Sequence, residues 1–356
     1  MTGAKIRVLV VEDSITVRRH LCAALAEDPG LEVVGDVGDG RAAIAACLAT
    51  RPDVITMDMA LPVMSGLAAT EYIMAHCPTP VLIVSASTNR GNLHRIYEAL
   101  AAGAVDVLEK PRGDEPVGAW ERQLRAAVRL VSRISVITHV RARLNPSPRR
   151  PARPSAGGGV ARPGAVVAIG ASTGGPSAIA RILRGLPTDY PLPVLVLIHV
   201  GAPFAPGLTR WLSDQTALAV AEAQDGESIA AAAGRVLVAP AGRHLVVRGR
   251  RVAFTGDDAR HHCRPSIDVL FESIAVDYGP DAVACLLTGM GRDGAAGLRA
   301  IRDAGGQTIA QDEASSIVYG MPREAAALGA AERILSLDDI ARAVAALTAK
   351  PRREPR

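Results

Sequence analysis

Aromatic residues are scarce in this 356-residue chain: Phe, Trp and Tyr together make up 3% of it. Its cores must therefore be filled by Ala, Val, Leu and Ile, and a nucleic-acid module that stacks bases on interleaved rings has little material here. Lysine is nearly absent, with only Lys5, Lys110 and Lys350 although Lys and Arg together number 40. The five cysteines (22, 47, 77, 263 and 285) are odd in number and form no C-x-x-C pair. That excludes a disulfide scaffold and points to a reduced, cytoplasmic protein. The first residues, MTGAKIRVLVVED, lack a signal-peptide layout, because acids follow the apolar run at once. The longest stretch free of Asp, Glu, Lys and Arg runs from Tyr190 to Thr209 and contains four prolines and His199, so direct membrane insertion is not expected.

At 356 residues, with 49% hydrophobic and 21% charged residues, two or three domains are expected. Residues 141–164 hold six Arg, five Pro, four Gly and no acid. No core forms from that composition, so a linker is predicted over 134–162. Taking those six arginines from the formal net charge of +4 leaves −2 for the rest, so the basicity belongs to the linker. It is either plainly solvated or docks on an acidic partner, and no nucleic-acid partner is expected.

Before the linker, over 1–133, the runs IRVLVV, LEVVGDV, DVITMD, PVLIVS and AVDVLE alternate with amphipathic stretches. Five βα repeats with near-continuous apolar strands predict a doubly wound parallel sheet. Ser14 is a candidate cap for the first helix and Gly30 its candidate end. After the linker, over 163–349, AVVAIG, PVLVLIH and AVACLLTG read as buried strands of a second, mostly parallel α/β domain. GRVLVAPAGRHLVVRGRRVAFTG reads there as an antiparallel hairpin insertion. Residues 350–356 form a basic tail.

Ligands of parallel sheets bind at the carboxyl ends of the strands. In the first domain Glu12 and Asp13 follow the first strand, Asp58 ends the third, Ser85 ends the fourth and Lys110 ends the fifth. Three carboxylates at one edge repel one another unless a hard cation such as Mg²⁺ lies among them, and a lysine opposite suits a phosphoryl group. With that pattern, residues 5–130 resemble a response-regulator receiver domain. The resemblance implies that Asp58 accepts a phosphoryl group and that Glu12, Asp13 and Asp58 hold Mg²⁺, with the Ala60 carbonyl as a further ligand. Ser85 and Lys110 would contact the phosphoryl oxygens. Val107 stands where that family usually carries an aromatic switch residue.

In the second domain, AVVAIGASTGGPSAIARIL is a strand, a glycine-rich turn and a helix start. A dinucleotide fingerprint fails, because Ser172 occupies the place of its middle glycine and the next strand ends in His199 rather than an acid. Gly170, Ser172 and Gly174 match the G-x-S-x-G nucleophile elbow, but the chain order Ser172, His199, Asp293 differs from that of α/β-hydrolases. The same chemistry survives without that fold: a neutral imidazole near pH 7 deprotonates Ser172 while Asp293 fixes its tautomer. Asp268 is a rival for the acid. His261-His262-Cys263 suggests soft metal ligands, but three adjacent residues cannot all face one ion. His244 in the hairpin reads as structural or as a substrate-surface contact.

This domain resembles the catalytic domain of the chemotaxis protein-glutamate methylesterases. The resemblance rests on IGASTGG at 169–175, His199, RPSIDVLFES at 264–273, LTGMGRDGA at 287–295 and QDEASSIVYGMPREA at 311–325. It implies Ser172 as nucleophile, His199 as base, Asp293 as its orienting partner and the Met290 backbone N–H as an oxyanion donor, with no cofactor for the esterase. That family usually reads Gln-His-Met-Pro where this chain has Ile198-His199-Val200-Gly201. The implied function is phosphorylation-regulated hydrolysis of glutamate methyl esters on chemoreceptor cytoplasmic signalling helices, with glutamine deamidation alongside. The implied phosphodonor is the chemotaxis histidine kinase. The alternatives are a non-catalytic adaptor and a DNA-binding regulator, the latter lacking any helix-turn-helix.

Overall fold

The computed structural model describes residues 4–86, 90–111, 113, 115–134, 136 and 165–348. The chain divides into two compact units, Met1–Pro151 and Ala152–Arg356. Nearly all of the expected linker and the whole tail lie outside the described residues.

The first unit runs β1 (Ile6–Val11), α1 (Ile15–Ala26), β2 (Leu31–Val37), α2 (Gly40–Thr50), β3 (Val54–Met57), α3 (Gly66–His76), β4 (Val81–Ser85), α4 (Arg90–Ala102), β5 (Asp106–Glu109) and α5 (Ala119–Val131). The sheet has the order β2-β1-β3-β4-β5 and is parallel throughout. Strands β3 and β4 are buried along their whole length, as a sheet covered on both faces requires. Ser14 caps α1 by accepting from the Val17 amide. The helix stops at Ala26 rather than running to Gly30. Pro29 forces the residue before it out of the α region, so Asp28 to Gly30 form a turn closed by Leu31 N–H donating to Asp28 O at 3.0 Å.

The second unit continues with β6 (Val166–Ala171), α6 (Gly175–Gly185), β7 (Val194–Ile198), α7 (Ala205–Gln215), β8 (Ala219–Glu222), β9 (Arg235–Val238), β10 (His244–Arg248) and β11 (Arg251–Thr255). There follow α8 (Ile267–Tyr278), β12 (Ala282–Leu286), α9 (Ala295–Asp303), β13 (Gln307–Gln311), α10 (Met321–Ala327), β14 (Arg333–Leu335) and α11 (Leu337–Thr348). The seven-stranded sheet has the order β14-β13-β12-β6-β7-β9-β8, and its registered pairs are parallel. The antiparallel hairpin consists of β10 and β11 alone. RVLV, which the sequence groups with it, is instead β9, a parallel strand between β7 and β8. Its Val-Leu-Val run is buried throughout, which suits an interior strand rather than a hairpin with one wet face.

Helix α8 closes the core beside the site. Ile267, Leu270, Phe271 and Ile274 recur at helical spacing and are fully buried against the sheet. Burying Phe271 alone contributes roughly 1.5–3 kcal/mol. Among the described residues no helix is long and apolar enough to cross a membrane.

Candidate active site

Strand order reverses at β6: β7 lies on one side of it and β12 on the other. In such sheets the crevice at the carboxyl ends of these central strands is where ligands bind. Ser172 is the first residue past β6 and His199 the first past β7. Register pairs Ala171 with Ile198, and the His199 amide donates to Ala171 O at 3.0 Å, so the two loops leave the sheet side by side. On the other flank the Ser172 amide donates to Thr288 O at 3.0 Å, which fastens the loop after β12 against the same turn.

That loop can come so close only because of glycine. A Cβ on Gly289 would lie 2.7 Å from the Ser172 Cβ and 2.5 Å from the Met321 sulfur. The turn after Ser172 also needs glycine, since Gly174 has φ +76° and a side chain there would press on Ile317. Met290 is exposed, and among the described residues its amide makes no hydrogen bond, as an oxyanion donor must be free to do before substrate arrives. Helix α6 starts at Gly175, so its positive end also faces this crevice.

His199 Nε2 lies 2.9 Å from Asp293 Oδ2, 94 residues away in the chain. Asp293 is buried, and its oxygens take three more hydrogen bonds from the start of α8. Ser266 Oγ donates to Oδ1 at 2.7 Å, the Asp268 amide to Oδ1 at 3.2 Å, and the Ile267 amide to Oδ2 at 2.7 Å. Burial pushes the Asp293 carboxyl up, but the His199 and Ser266 hydrogen bonds outweigh it and hold the group below the usual carboxylate range. Burial pulls His199 down, yet its bonds to Asp293 and Cys263 win and its pKa rises to about 9. The direction of that shift favours the imidazolium, so a neutral ring there is reached only by giving up that proton.

Ser172 Oγ makes no hydrogen bond among the described residues, to His199 or to any other group. The nitrogen of His199 that Asp293 leaves free, Nδ1, faces Cys263 Sγ at 3.7 Å. Asp268 does not meet His199. It accepts from the Gly297 amide at 2.7 Å and faces His261 Nε2 at 3.2 Å, and burial raises its pKa. His244 is fully buried and accepts at Nδ1 from the Ser266 amide at 3.1 Å, so it steadies the cap that holds Asp293 and touches no surface.

The sequence reading passed over Ser266, and it weighed Cys263 only as a soft metal ligand beside His261 and His262, not as a neighbour of His199. Ser266 had a signal, a capping residue just before the apolar IDVLF run. The approach of Cys263 to His199 had none.

In the first unit Glu12, Asp58, Ser85 and Lys110 gather at one sheet edge. Lys110 Nζ lies 2.9 Å from Asp58 Oδ2 and 2.7 Å from Glu12 Oε2. The Met59 amide donates to Asp58 Oδ1 at 2.7 Å, and the Lys110 amide to Ser85 O at 3.1 Å. Carboxylate oxygens of Glu12, Asp13 and Asp58 lie within 4.8 Å of one another. Burial raises the Glu12 pKa, and the lysine only partly offsets this. An all-oxygen set with an excess of negative charge fits a hard divalent cation. Ala60 follows two residues after Asp58 on this edge. Val107 is half-buried on the edge strand β5, where it pairs with Ile83 of β4.

Comparisons with known proteins point the same way for both units. The CheB methylesterase family model matches residues 167–344, and the response regulator receiver domain model matches residues 8–117. A protein of Anaeromyxobacter dehalogenans named protein-glutamate methylesterase/protein-glutamine glutaminase 2 is 46% identical over 347 residues, covering 96% of this chain and 97% of the relative. A protein-glutamate methylesterase/protein-glutamine glutaminase of Nitrosospira multiformis is 41% identical over 351 residues, covering 97% of this chain and 98% of the relative. The crystal structure of the Thermotoga maritima CheB methylesterase catalytic domain is 34% identical, with a TM-score of 0.49, and is covered to 98% by 52% of this chain.

Proposed function

The chain belongs to the CheB methylesterase family, with a receiver domain ahead of the catalytic unit, and from that premise we propose that it hydrolyses glutamate 5-methyl esters on chemoreceptor signalling helices, releasing methanol, and deamidates glutamines there. The observation that carries the reading is the pairing of His199 with the buried Asp293, next to the Ser172 turn at the reversal point of a parallel sheet.

Ser172 Oγ attacks the ester carbonyl and passes its proton to Nδ1 of His199, the nitrogen that Asp293 leaves free. Substrate binding has to close the Ser172–His199 contact, as is common for sites that tighten only around their substrate. Asp293 stabilises the imidazolium, and the Met290 amide with the positive end of α6 stabilises the oxyanion. His199 returns the proton to the departing methoxide, giving methanol, and water then cleaves the glutamyl ester by the same relay. With a glutamine side chain the group that departs is ammonia. These steps draw on no cofactor.

Asp58 is the phosphoacceptor in this reading, and the histidine kinase of the same signalling system is its donor. Glu12, Asp13 and Asp58 would hold Mg²⁺, which neutralises the charge of the incoming phosphoryl group. Lys110 and Ser85 receive the phosphoryl oxygens. The test is methanol release from methylated receptor membranes. Release that depends on Ser172 supports the reading, whereas none from a folded, phosphorylated chain leaves an adaptor in its place.

A further inference from the structure

Residues 260–263 close into a tight turn, with the Arg260 amide donating to Cys263 O at 3.1 Å and the Cys263 amide to Arg260 O at 2.8 Å. Its two central residues, His261 and His262, have φ of +52° and +64°, a left-handed conformation that side chains rarely adopt. Such strain persists only where the surroundings enforce it, and it clusters at functional sites. Here it sends neighbouring side chains in different directions. His261 turns to Asp268, and Cys263 turns to the free nitrogen of His199.

The donor set around His199 is specific in its chemistry. A thiol sulfur and an imidazole nitrogen 3.7 Å apart have the span of two ligands on one tetrahedral zinc, since Zn–S of about 2.3 Å and Zn–N of about 2.0 Å place them about 3.6 Å apart. The other ring nitrogen is held by a buried carboxylate, the arrangement that orients ligating histidines and raises their basicity. Ligand atoms of His199, Cys263 and Asp293 all fall within 4.8 Å of one another. The nearby cations have other partners: Arg260 pairs with Glu272 at 2.6 Å, and Arg292 contacts His261 at 3.3 Å. The pocket of the first unit offers only oxygen and suits Mg²⁺, whereas this one offers sulfur and nitrogen and suits a softer ion.

The geometry points to a second, inhibitory metal site in which Cys263 Sγ and His199 Nδ1 together bind a soft divalent cation of the Zn²⁺ type, with Asp293 buttressing the ring. Cys263 releases its thiol proton to solvent as it ligates, and water fills the remaining coordination positions. With two protein ligands, binding is reversible. An occupied site takes the lone pair that the proton relay needs, so hydrolysis stops. The metal binding stands on the geometry alone; the inhibition rests on the proposed role of His199 as base.

The experiment uses the full chain, reduced and freed of metal, with Co²⁺ as an optical probe and Zn²⁺ as inhibitor. Wild type should develop a thiolate-to-cobalt charge-transfer band, which an all-oxygen site cannot give, and Cys263→Ser should lose it. Each protein's esterase rate is compared with its own metal-free rate. Zn²⁺ should inhibit wild type reversibly, and Cys263→Ser should need roughly tenfold or more Zn²⁺ for half-inhibition, since even second-shell losses weaken metal sites by about that factor. Should the variant fail to fold, Zn²⁺ should protect Cys263 of wild type, but not Cys22, from alkylation. No band in wild type, an undiminished band or equal inhibition in Cys263→Ser, or no protection of Cys263 overturns the site. A chain inactive even without metal but showing the Cys263-dependent band refutes the esterase reading and leaves the metal site standing.

Discussion

His199 presents Nε2, not Nδ1, to Asp293, at 2.9 Å. Only one nitrogen is then left for chemistry, and it emerges beside Cys263 and the loop that carries Ser172. Whatever the imidazole does to a substrate it does through Nδ1, with Asp293 fixing the tautomer from behind.

Ser172→Ala should lower kcat of methyl-ester hydrolysis by at least about a thousandfold while Tm moves by no more than about 2 °C, because a turn hydroxyl without partners carries little stability. His199→Ala should be nearly as damaging. Asp293→Asn should be roughly tenfold to a hundredfold less severe, since the members of a triad act as a unit. Activity of Ser172→Ala within about threefold of wild type rejects the nucleophile.

The pH profile follows from the direction of the His199 shift. Proton acceptance requires the neutral ring, and interactions with Asp293 and Cys263 raise its pKa to about 9. At pH 7 only about one molecule in a hundred is then competent. With a chelator present, kcat/KM should climb close to tenfold per pH unit from pH 7 and level off near pH 9. A plateau already reached at pH 7 contradicts this.

Ser266→Ala removes both the N-cap of α8 and one hydrogen bond to Asp293. Stability should fall by about 1–2 kcal/mol and kcat by about tenfold or more, with KM little changed, and Ser266→Thr should restore most of both. Thermal melts and steady-state kinetics on the three proteins decide it; an unchanged kcat in Ser266→Ala shows that Asp293 needs no such support.

A small phosphodonor with Mg²⁺ should label wild type and raise its esterase rate, and should do neither in Asp58→Asn. A tenfold activation corresponds to about 1.4 kcal/mol between two states, a modest demand on a switch. Phosphate incorporation that survives Asp58→Asn assigns the acceptor to another group.

Much of this was legible in the chain. Buried parallel strands announce themselves as unbroken apolar runs, and residues just past such runs must share an edge, which is why the sequence alone groups Glu12, Asp58, Ser85 and Lys110. Ser172 and His199 were placed on adjacent strand ends by the same logic. What stayed hidden depends on three-dimensional approach. Nothing local separates RVLV as an interior strand from RVLV as a hairpin arm. The turn that carries Cys263 to His199, 64 residues away in the chain, relies on two left-handed histidines that no propensity favours. The charge state of His199 is equally invisible in sequence, because it is set by burial and by partners that only the fold brings together.

Four hydrogen bonds converge on Asp293, one from His199 and three from the first turn of α8. The carboxylate is therefore also a rivet between the loop after β12 and the helix that closes the core. Its replacement should reduce how much protein a cell accumulates, as a share of molecules is lost to proteolysis, whereas Ser172 variants should accumulate normally. Cells carrying Asp293 variants would then show adaptation defects that mix dosage with chemistry, and only the Ser172 variants would report chemistry alone.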